Sequence, residues 1–374
     1  MSSIYIHIPY CKQKCHYCNF FTVISTKTKQ DLIDAICKEL ELKNDYLQSG
    51  KINTIYFGGG TPSILDNSDF DKIFKTLYKQ FSISDSAEIS VEANPDDINA
   101  SKLKFFKSCG VNRLSIGIQS FNDYILKRLN RIHTSKEAIE SVNLAHNFDF
   151  HNLNIDLIYG IPGMDIEILK NDIKNFLDLN IPHLSAYSLT VEEKTTLHYL
   201  IRNNRYPMPS DSESIEHFNL LIDLLNTHHY EQYEISNFAK NKTYSRHNTN
   251  YWKNLPYLGV GPSAHSFNSK TRQWNAYSVS KYIQNIKDNK MYHNIEVLST
   301  DDSYNEYIML GLRTKWGIDR KIIKENFGKE YSLYFENLLL NPNVRNFVSI
   351  DGNVVILNLE GKKYADRVAS NLFI

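Results

Sequence analysis

The chain has 374 residues, with 42 Lys and Arg against 42 Asp and Glu, so its formal net charge is zero. That balance argues against holding nucleic acid by bulk electrostatics, and no run of 18 apolar residues is present to span a bilayer. A composition of 42% hydrophobic and 22% charged residues is that of an ordinary folded protein of roughly two to three domains. The stretch from Met1 to Ile8 lacks the basic and apolar regions of a signal peptide, and five cysteines is an odd number for a disulfide framework. Both features point to a reducing, cytoplasmic setting.

In chain order, strand-like runs fall at Ser3–Ile8, Ile52–Phe57, Ala87–Glu92, Arg113–Ile118, Asn152–Leu157 and His183–Ser188. Helical periodicity fills the gaps: Lys29–Leu47, Ser68–Phe81, Ser101–Ser108, Ser135–His146 and Asp165–Leu179. In the first helix Leu32, Ile33, Ile36, Leu40, Tyr46 and Leu47 share a face. Strands alternating with helices predict an α/β fold with a parallel sheet. Six units are too few to close the usual eight-unit barrel. The expectation is therefore an open, six-unit partial (β/α) barrel over residues 1–205, with a doubly wound sheet as the alternative.

The rhythm changes beyond residue 205. A helix at Ser212–Asn226 leads into an aromatic, polar connecting region over residues 206–298. Residues 299–374 read as a small winged-helix-like module. It has helices at Asp302–Gly311, Asp319–Phe327 and Glu360–Leu372, and a hairpin of Val348–Ile350 with Val354–Leu357 around Asp351-Gly352.

Three of the five cysteines fall within eight residues: Cys11, Cys15 and Cys18, spaced CxxxCxxC in the loop after the first strand. Thiolates favour zinc, copper(I) and iron–sulfur clusters. A [4Fe–4S] cluster normally takes four thiolates, so three would leave one iron open for chemistry. The competing reading is a Cys₃His zinc site completed by His7 or His16. Cys37 and Cys109 lie far from this loop and read as small core residues. Gly58-Gly59-Gly60-Thr61-Pro62 follows the second strand. Consecutive glycines permit close backbone approach to a ligand and expose N–H groups.

CxxxCxxC after the first strand and a glycine-rich turn after the second resemble the radical S-adenosylmethionine superfamily. The phrase YIHIPYC and the later matches resemble its anaerobic coproporphyrinogen III oxidase-like branch along essentially the whole chain. The resemblance implies a [4Fe–4S] cluster held by Cys11, Cys15 and Cys18, whose open iron chelates S-adenosylmethionine. It also implies contacts to that cofactor from Tyr5, Tyr17, Gly59, Gly60, Thr61, Glu92, Gln119, Arg131, Asp156 and Ala186. Most of these sit at strand ends, which converge on one barrel mouth. A buried polar network that merely closes the mouth is the alternative for the same residues.

The decarboxylating oxidases of this branch extend the motif to CxxxCxxCxC, but here Phe20 takes the place of the last cysteine. Those oxidases also carry an extension before the first strand, and few residues precede Tyr5. Both departures resemble the heme chaperone group of the branch. So does the segment Ser245-Arg246-His247-Asn248-Thr249-Asn250-Tyr251-Trp252, which matches that group's HNxxYW pattern. It implies heme as a ligand, His247 as its axial ligand and Arg246 as a propionate partner. His265 is the rival ligand, and His228-His229 reads as a solvated helix end. The implied partners are heme, acceptor hemoproteins and an electron-donor protein, with self-association into a homodimer left open. The rival functions are anaerobic oxidation of coproporphyrinogen III and radical modification of tRNA, so whether the chain is an enzyme stays open. The zero net charge offers the tRNA reading no basic stripe.

Overall fold

The computed structural model describes residues 2–47, 50–208 and 210–374. Strands β1 (Ser2–Ile8), β2 (Ile52–Gly59), β3 (Ile83–Ala93), β4 (Arg113–Gln119), β5 (Leu153–Tyr159) and β6 (His183–Ser188) lie side by side in chain order. Every neighbouring pair is parallel. Between them run α1 (Lys29–Leu42), α2 (Asn67–Gln80), α3 (Ala100–Ser108), α4 (Asp123–Arg128), α5 (Ser135–Asn147) and α6 (Ile166–Asp178). The α/β reading of the sequence is what the chain forms.

Alternation along each strand sorts the residues into two sets. Ile4, Ile6 and Ile8 of β1, Ile55 and Phe57 of β2, and Leu114, Ile116 and Ile118 of β4 join one apolar core. Leu32, Ile33, Ile36 and Leu40 of α1 lie in the same core, each fully buried. Burying one such side chain stabilises the fold by about 1.5–3 kcal/mol. The other set is polar: Ser3, Tyr5, Thr54, Tyr56, Glu88, Glu92, Ser115, Asn154, Asp156, His183 and Ser185. Side-chain caps mark the starts of α3, α4, α5 and α6. Thr134 and Glu137 form a capping box on α5, which typically contributes ~1 kcal/mol.

Several boundaries differ from expectation. Helix α1 ends at Leu42 rather than Leu47, so Tyr46 and Leu47 pack on the core as a partly buried turn. The connecting region carries more structure than its composition suggests: α7 (Thr196–Arg202), α8 (Asp211–Thr227), β7 (Glu231–Gln232), β8 (Asn237–Ala239), α9 (Arg246–Trp252), β9 (Tyr257–Val260), β10 (His265–Phe267), β11 (Thr271–Asn275), α10 (Val279–Lys287) and β12 (His293–Val297). Strand β9 adds to β1 as a further parallel strand, and β10–β12 continue the sheet antiparallel. Beyond β6 the sheet runs on through β8 and β7. Leu221, Leu225, Leu258, Tyr282 and Ile283 from this region share the barrel's core.

Residues 304–372 build a second core around Tyr304, Ile308, Phe335, Val355 and Leu372. Helix α11 (Thr300–Leu312) leads to β13 (Ile318–Asp319), α12 (Arg320–Phe327), α13 (Lys329–Leu339), α14 (Pro342–Arg345) and the hairpin β14 (Val348–Asp351) and β15 (Val354–Leu357). Gly352, at φ +57°, makes the hairpin turn. The expected last helix is broken into α15 (Leu359–Lys362) and α16 (Ala365–Ser370). At Gly361 a Cβ would lie 2.0 Å from the Phe347 carbonyl oxygen, so the first turn is pinned against that backbone before the chain redirects.

Candidate cofactor site

The C-terminal ends of β1–β6 surround a cavity of about 390 Å³. Cys11, Cys15, Cys18, Tyr17, Gly59, Gly60, Thr61, Glu92, Gln119, Arg131 and Asp156 all line it. Tyr5 and Ala186 do not. Tyr5 lies below, its ring 6.2 Å from that of Tyr56 and its hydroxyl 3.2 Å from His7 Nδ1. Ala186 is buried with Leu184 on the opposite face of β6, and its N–H donates to the Ser236 carbonyl. Its neighbour Tyr187 lines the cavity instead, as do Asn94 and Ser115. Strand parity could have found two of these, since Asn94 is two residues past Glu92 and Tyr187 two past Ser185.

The cysteine loop is fastened by backbone bonds. Cys11 N–H donates to the Val23 carbonyl at 3.0 Å, and His16 N–H to that of Leu129 at 3.0 Å. Asn130 Nδ2 reaches the Lys14 carbonyl at 2.8 Å. Donors also point at the sulfurs: the Thr61 hydroxyl at Cys11 Sγ and Arg131 Nη1 at Cys15 Sγ, both at 3.4 Å. Burial pushes the Cys11 thiol up to about 11 and raises that of Cys18. Arg131 is further held by Asn94 Oδ1 at 2.8 Å, while its buried Nε has no partner among the described residues.

The glycine turn works differently from its expected role. The N–H groups of Gly59, Gly60 and Thr61 are already taken by Glu92, the Ile8 carbonyl and the Tyr10 carbonyl. What the glycines allow is close packing on the start of the cysteine loop: a Cβ at Gly60 would lie 2.7 Å from Tyr10 O, and one at Gly59, where φ is +116°, 2.7 Å from the His7 ring. Glu92 accepts from the Tyr56 hydroxyl at 2.9 Å and from Gly59 N at 3.2 Å. Burial, then the charge of Asp156, pushes its carboxyl up to about 7. Asp156 is raised as well, chiefly by burial.

The HNxxYW segment forms α9 beneath this cavity, against β1 and β2. His247 is 1% exposed. Its Nδ1 pairs with the Thr54 hydroxyl at 2.8 Å and its Nε2 with the Tyr251 hydroxyl at 2.9 Å. Neither ring nitrogen is free for iron in this arrangement, and burial lowers its pKa to about 3. Arg246 is bonded to the Ser86 carbonyl at 2.6 Å. His265 is exposed, with its ring 6.2 Å from Trp274 and nearly parallel to it. Among the described residues no hydrogen bond engages its ring nitrogens. Of the two histidines weighed for zinc, His7 has both ring nitrogens occupied, by Tyr5 and the Phe21 carbonyl.

The fold and site define a radical S-adenosylmethionine protein, and residues 5–175 match the radical SAM superfamily. The chain is 35% identical to the heme chaperone HemW of Bacillus subtilis (strain 168), over 98% of each chain. It is 34% identical to the HemW of Lactococcus lactis subsp. lactis (strain IL1403), over 90% of this chain and 87% of that one. The structure of coproporphyrinogen III oxidase (HemN) from Escherichia coli shares the fold, with a TM-score of 0.86 over 100% of this chain and 90% of that one, at 22% identity. The chain belongs to the HemW family, within the radical SAM superfamily.

That superfamily implies a [4Fe–4S] cluster and S-adenosylmethionine. The residues present fit both. Three thiols share one wall with donors aimed at two of them, and a buried guanidinium keeps an unused N–H. Beside them the backbone at Gly60 leaves no space for a side chain. No helix among the described residues is long and apolar enough to cross a membrane.

Proposed function

We propose that this protein is a heme chaperone, binding heme and delivering it to acceptor hemoproteins, with a [4Fe–4S] cluster and S-adenosylmethionine in the mouth cavity. The observation that carries the reading is similarity to a HemW over 98% of both chains, the C-terminal module included. A second feature agrees. Phe20, at the position of the oxidases' further cysteine, is 67% exposed on the cavity rim.

In this reading Cys11, Cys15 and Cys18 hold the cluster. Arg131 and Thr61 donate to the sulfurs, which favours thiolate over thiol when metal displaces the protons. Gly59 and Gly60 admit the methionine end of the cofactor, and Glu92 and Asp156 accept from its amine or ribose. Tyr17 and Gln119 complete the wall. When bound and reduced, a cluster held there would be able to supply an electron to the cofactor's sulfonium. That chemistry calls for an electron-donor protein, and the thiol ligands agree with a reducing, cytoplasmic setting. For heme, His247 is committed elsewhere, and the exposed ring of His265 beside Trp274 is the better-placed ligand.

The test is a heme titration of anaerobically reconstituted protein, with and without its cluster, followed by transfer to an apo-hemoprotein. Saturable binding and transfer are expected. A parallel anaerobic incubation of the reduced protein with coproporphyrinogen III, S-adenosylmethionine and an electron acceptor is expected to yield no protoporphyrinogen. Its appearance would establish the oxidase instead.

A further inference from the structure

Helix α9 carries the HNxxYW segment, yet its histidine faces inward and lies against a residue that serves the mouth. The His247 ring stacks on that of Tyr56, with centroids 5.0 Å apart and planes 26° from parallel. The hydroxyl of Tyr56 is the one that donates to Glu92 Oε1 at 2.9 Å. Glu92 in turn accepts the N–H of Gly59, the glycine at φ +116° on the cavity wall. One imidazole, one phenol and one carboxylate thus connect the floor of the barrel to its mouth.

The position of the imidazole is over-determined. Thr54 and Tyr251 fix both ring nitrogens, as a neutral imidazole with one donor and one acceptor requires. Its backbone N–H and that of Arg246 both donate to the buried Glu88 carboxylate, at 3.0 and 3.2 Å. Asn250, one turn on, bonds the Ser3 hydroxyl at 2.9 Å. Such anchoring suits a part that must not move, whereas an axial ligand needs an accessible nitrogen.

We propose that His247 is a positioning residue for the cofactor cavity, setting the Tyr56 ring from below so that Tyr56 holds Glu92 against Gly59. The proposal rests on the reading that the cavity takes S-adenosylmethionine. It gives the HNxxYW segment a role that runs through the cofactor rather than through direct ligation of heme iron. A ligand-induced shift of Glu92 would be felt at α9 through the same three side chains.

The experiment is a double-mutant cycle on the cluster-loaded protein, reading equilibrium affinity for S-adenosylmethionine and the absorbance spectrum of bound heme. His247→Ala and Tyr56→Phe are each expected to weaken cofactor binding by roughly three- to tenfold, the scale of one lost hydrogen bond. The double variant is expected to be no weaker than the worse single, because both act through one contact to Glu92. Heme absorbance is expected to be unchanged in all of them. If His247→Ala fails to load its cluster, His247→Asn takes its place. It keeps a polar partner for Thr54 but has no ring to set Tyr56.

Losses that multiply in the double variant would overturn the proposal, since general destabilisation behaves that way. Unchanged cofactor affinity with an altered heme spectrum would overturn it in favour of axial ligation. Wild-type protein that binds no S-adenosylmethionine would overturn the underlying cofactor reading as well, a result distinct from either of these.

Discussion

At the barrel mouth Glu92, Asp156 and Arg131 border a cavity of about 390 Å³, and Arg131 keeps an unpartnered Nε. At the floor Glu88, Asn154, His183 and His247 are as polar and more deeply buried, yet they are consumed by one another. His183 Nδ1 lies 2.6 Å from Asn154 Oδ1, and its Nε2 lies 2.7 Å from the Tyr233 hydroxyl. The two regions come from the same strands, a few residues apart. What separates a site from a strut here is the open space beside the polar groups, not residue type, since Arg113 at the start of β4 also keeps a buried, unpartnered Nε.

The largest effect that would break this comparison is at the mouth. Cys15→Ala is expected to abolish the cluster, read as loss of iron and sulfide after anaerobic purification. The metal-free protein is expected to unfold within about 1 kcal/mol of wild type, as for half-exposed positions outside a core. Full iron with unchanged brown absorbance would remove Cys15 from the ligand set.

The floor is expected to respond the opposite way. Asn154 is 2% exposed and bonds Ser115, Asp156, Ser185 and His183. Asn154→Ala leaves those partners short in a closed space, which costs about 2–4 kcal/mol in urea unfolding. A loss below about 1 kcal/mol, the ordinary size for a point change, would mean that water enters the floor and the contrast with the mouth fails.

How far the sequence showed this follows from where each signal resides. Residues such as Ile4, Ile6 and Ile8 announce a strand covered on its apolar face, and the cysteine spacing needs no fold to be read. Strands β7–β12 were not visible because each is only two to five residues long, too short to establish a period. Ala186 was one residue off: β6 reverses faces at each step, so Tyr187 enters the cavity and Ala186 does not. The role of His247 was hidden for another reason. A histidine in a motif looks the same whether its nitrogens are free or spoken for, and Thr54 and Tyr251 are known as its partners only once β2 and α9 are packed.

The finest test of the comparison uses an acid outside both regions. Glu39 of α1 is 1% exposed and clamps the helix to the sheet extension. It accepts from Gly261 N at 2.8 Å, Asn275 Nδ2 at 2.8 and 3.1 Å, and the Tyr282 hydroxyl at 2.6 Å. Burial still outweighs these donors and the nearby Lys43, pushing its carboxyl up to about 7, where Glu92 also stands. A raised carboxyl pKa means that between its ordinary value of 4.5 and about 7 the folded chain keeps a proton that the unfolded chain has lost. Stability from this group is therefore full below that window and falls as pH rises through it, by at most about 1.4 kcal/mol per pH unit. Between pH 6 and 7 the metal-free wild type is expected to lose roughly 1 kcal/mol more in urea unfolding than Glu39→Gln, in which Glu92 titrates identically and cancels. Equal slopes in the two proteins would mean that Glu39 is already ionised at pH 6. Its four bonds would then outweigh its burial, and a saturated network would suffice to keep a buried carboxylate charged.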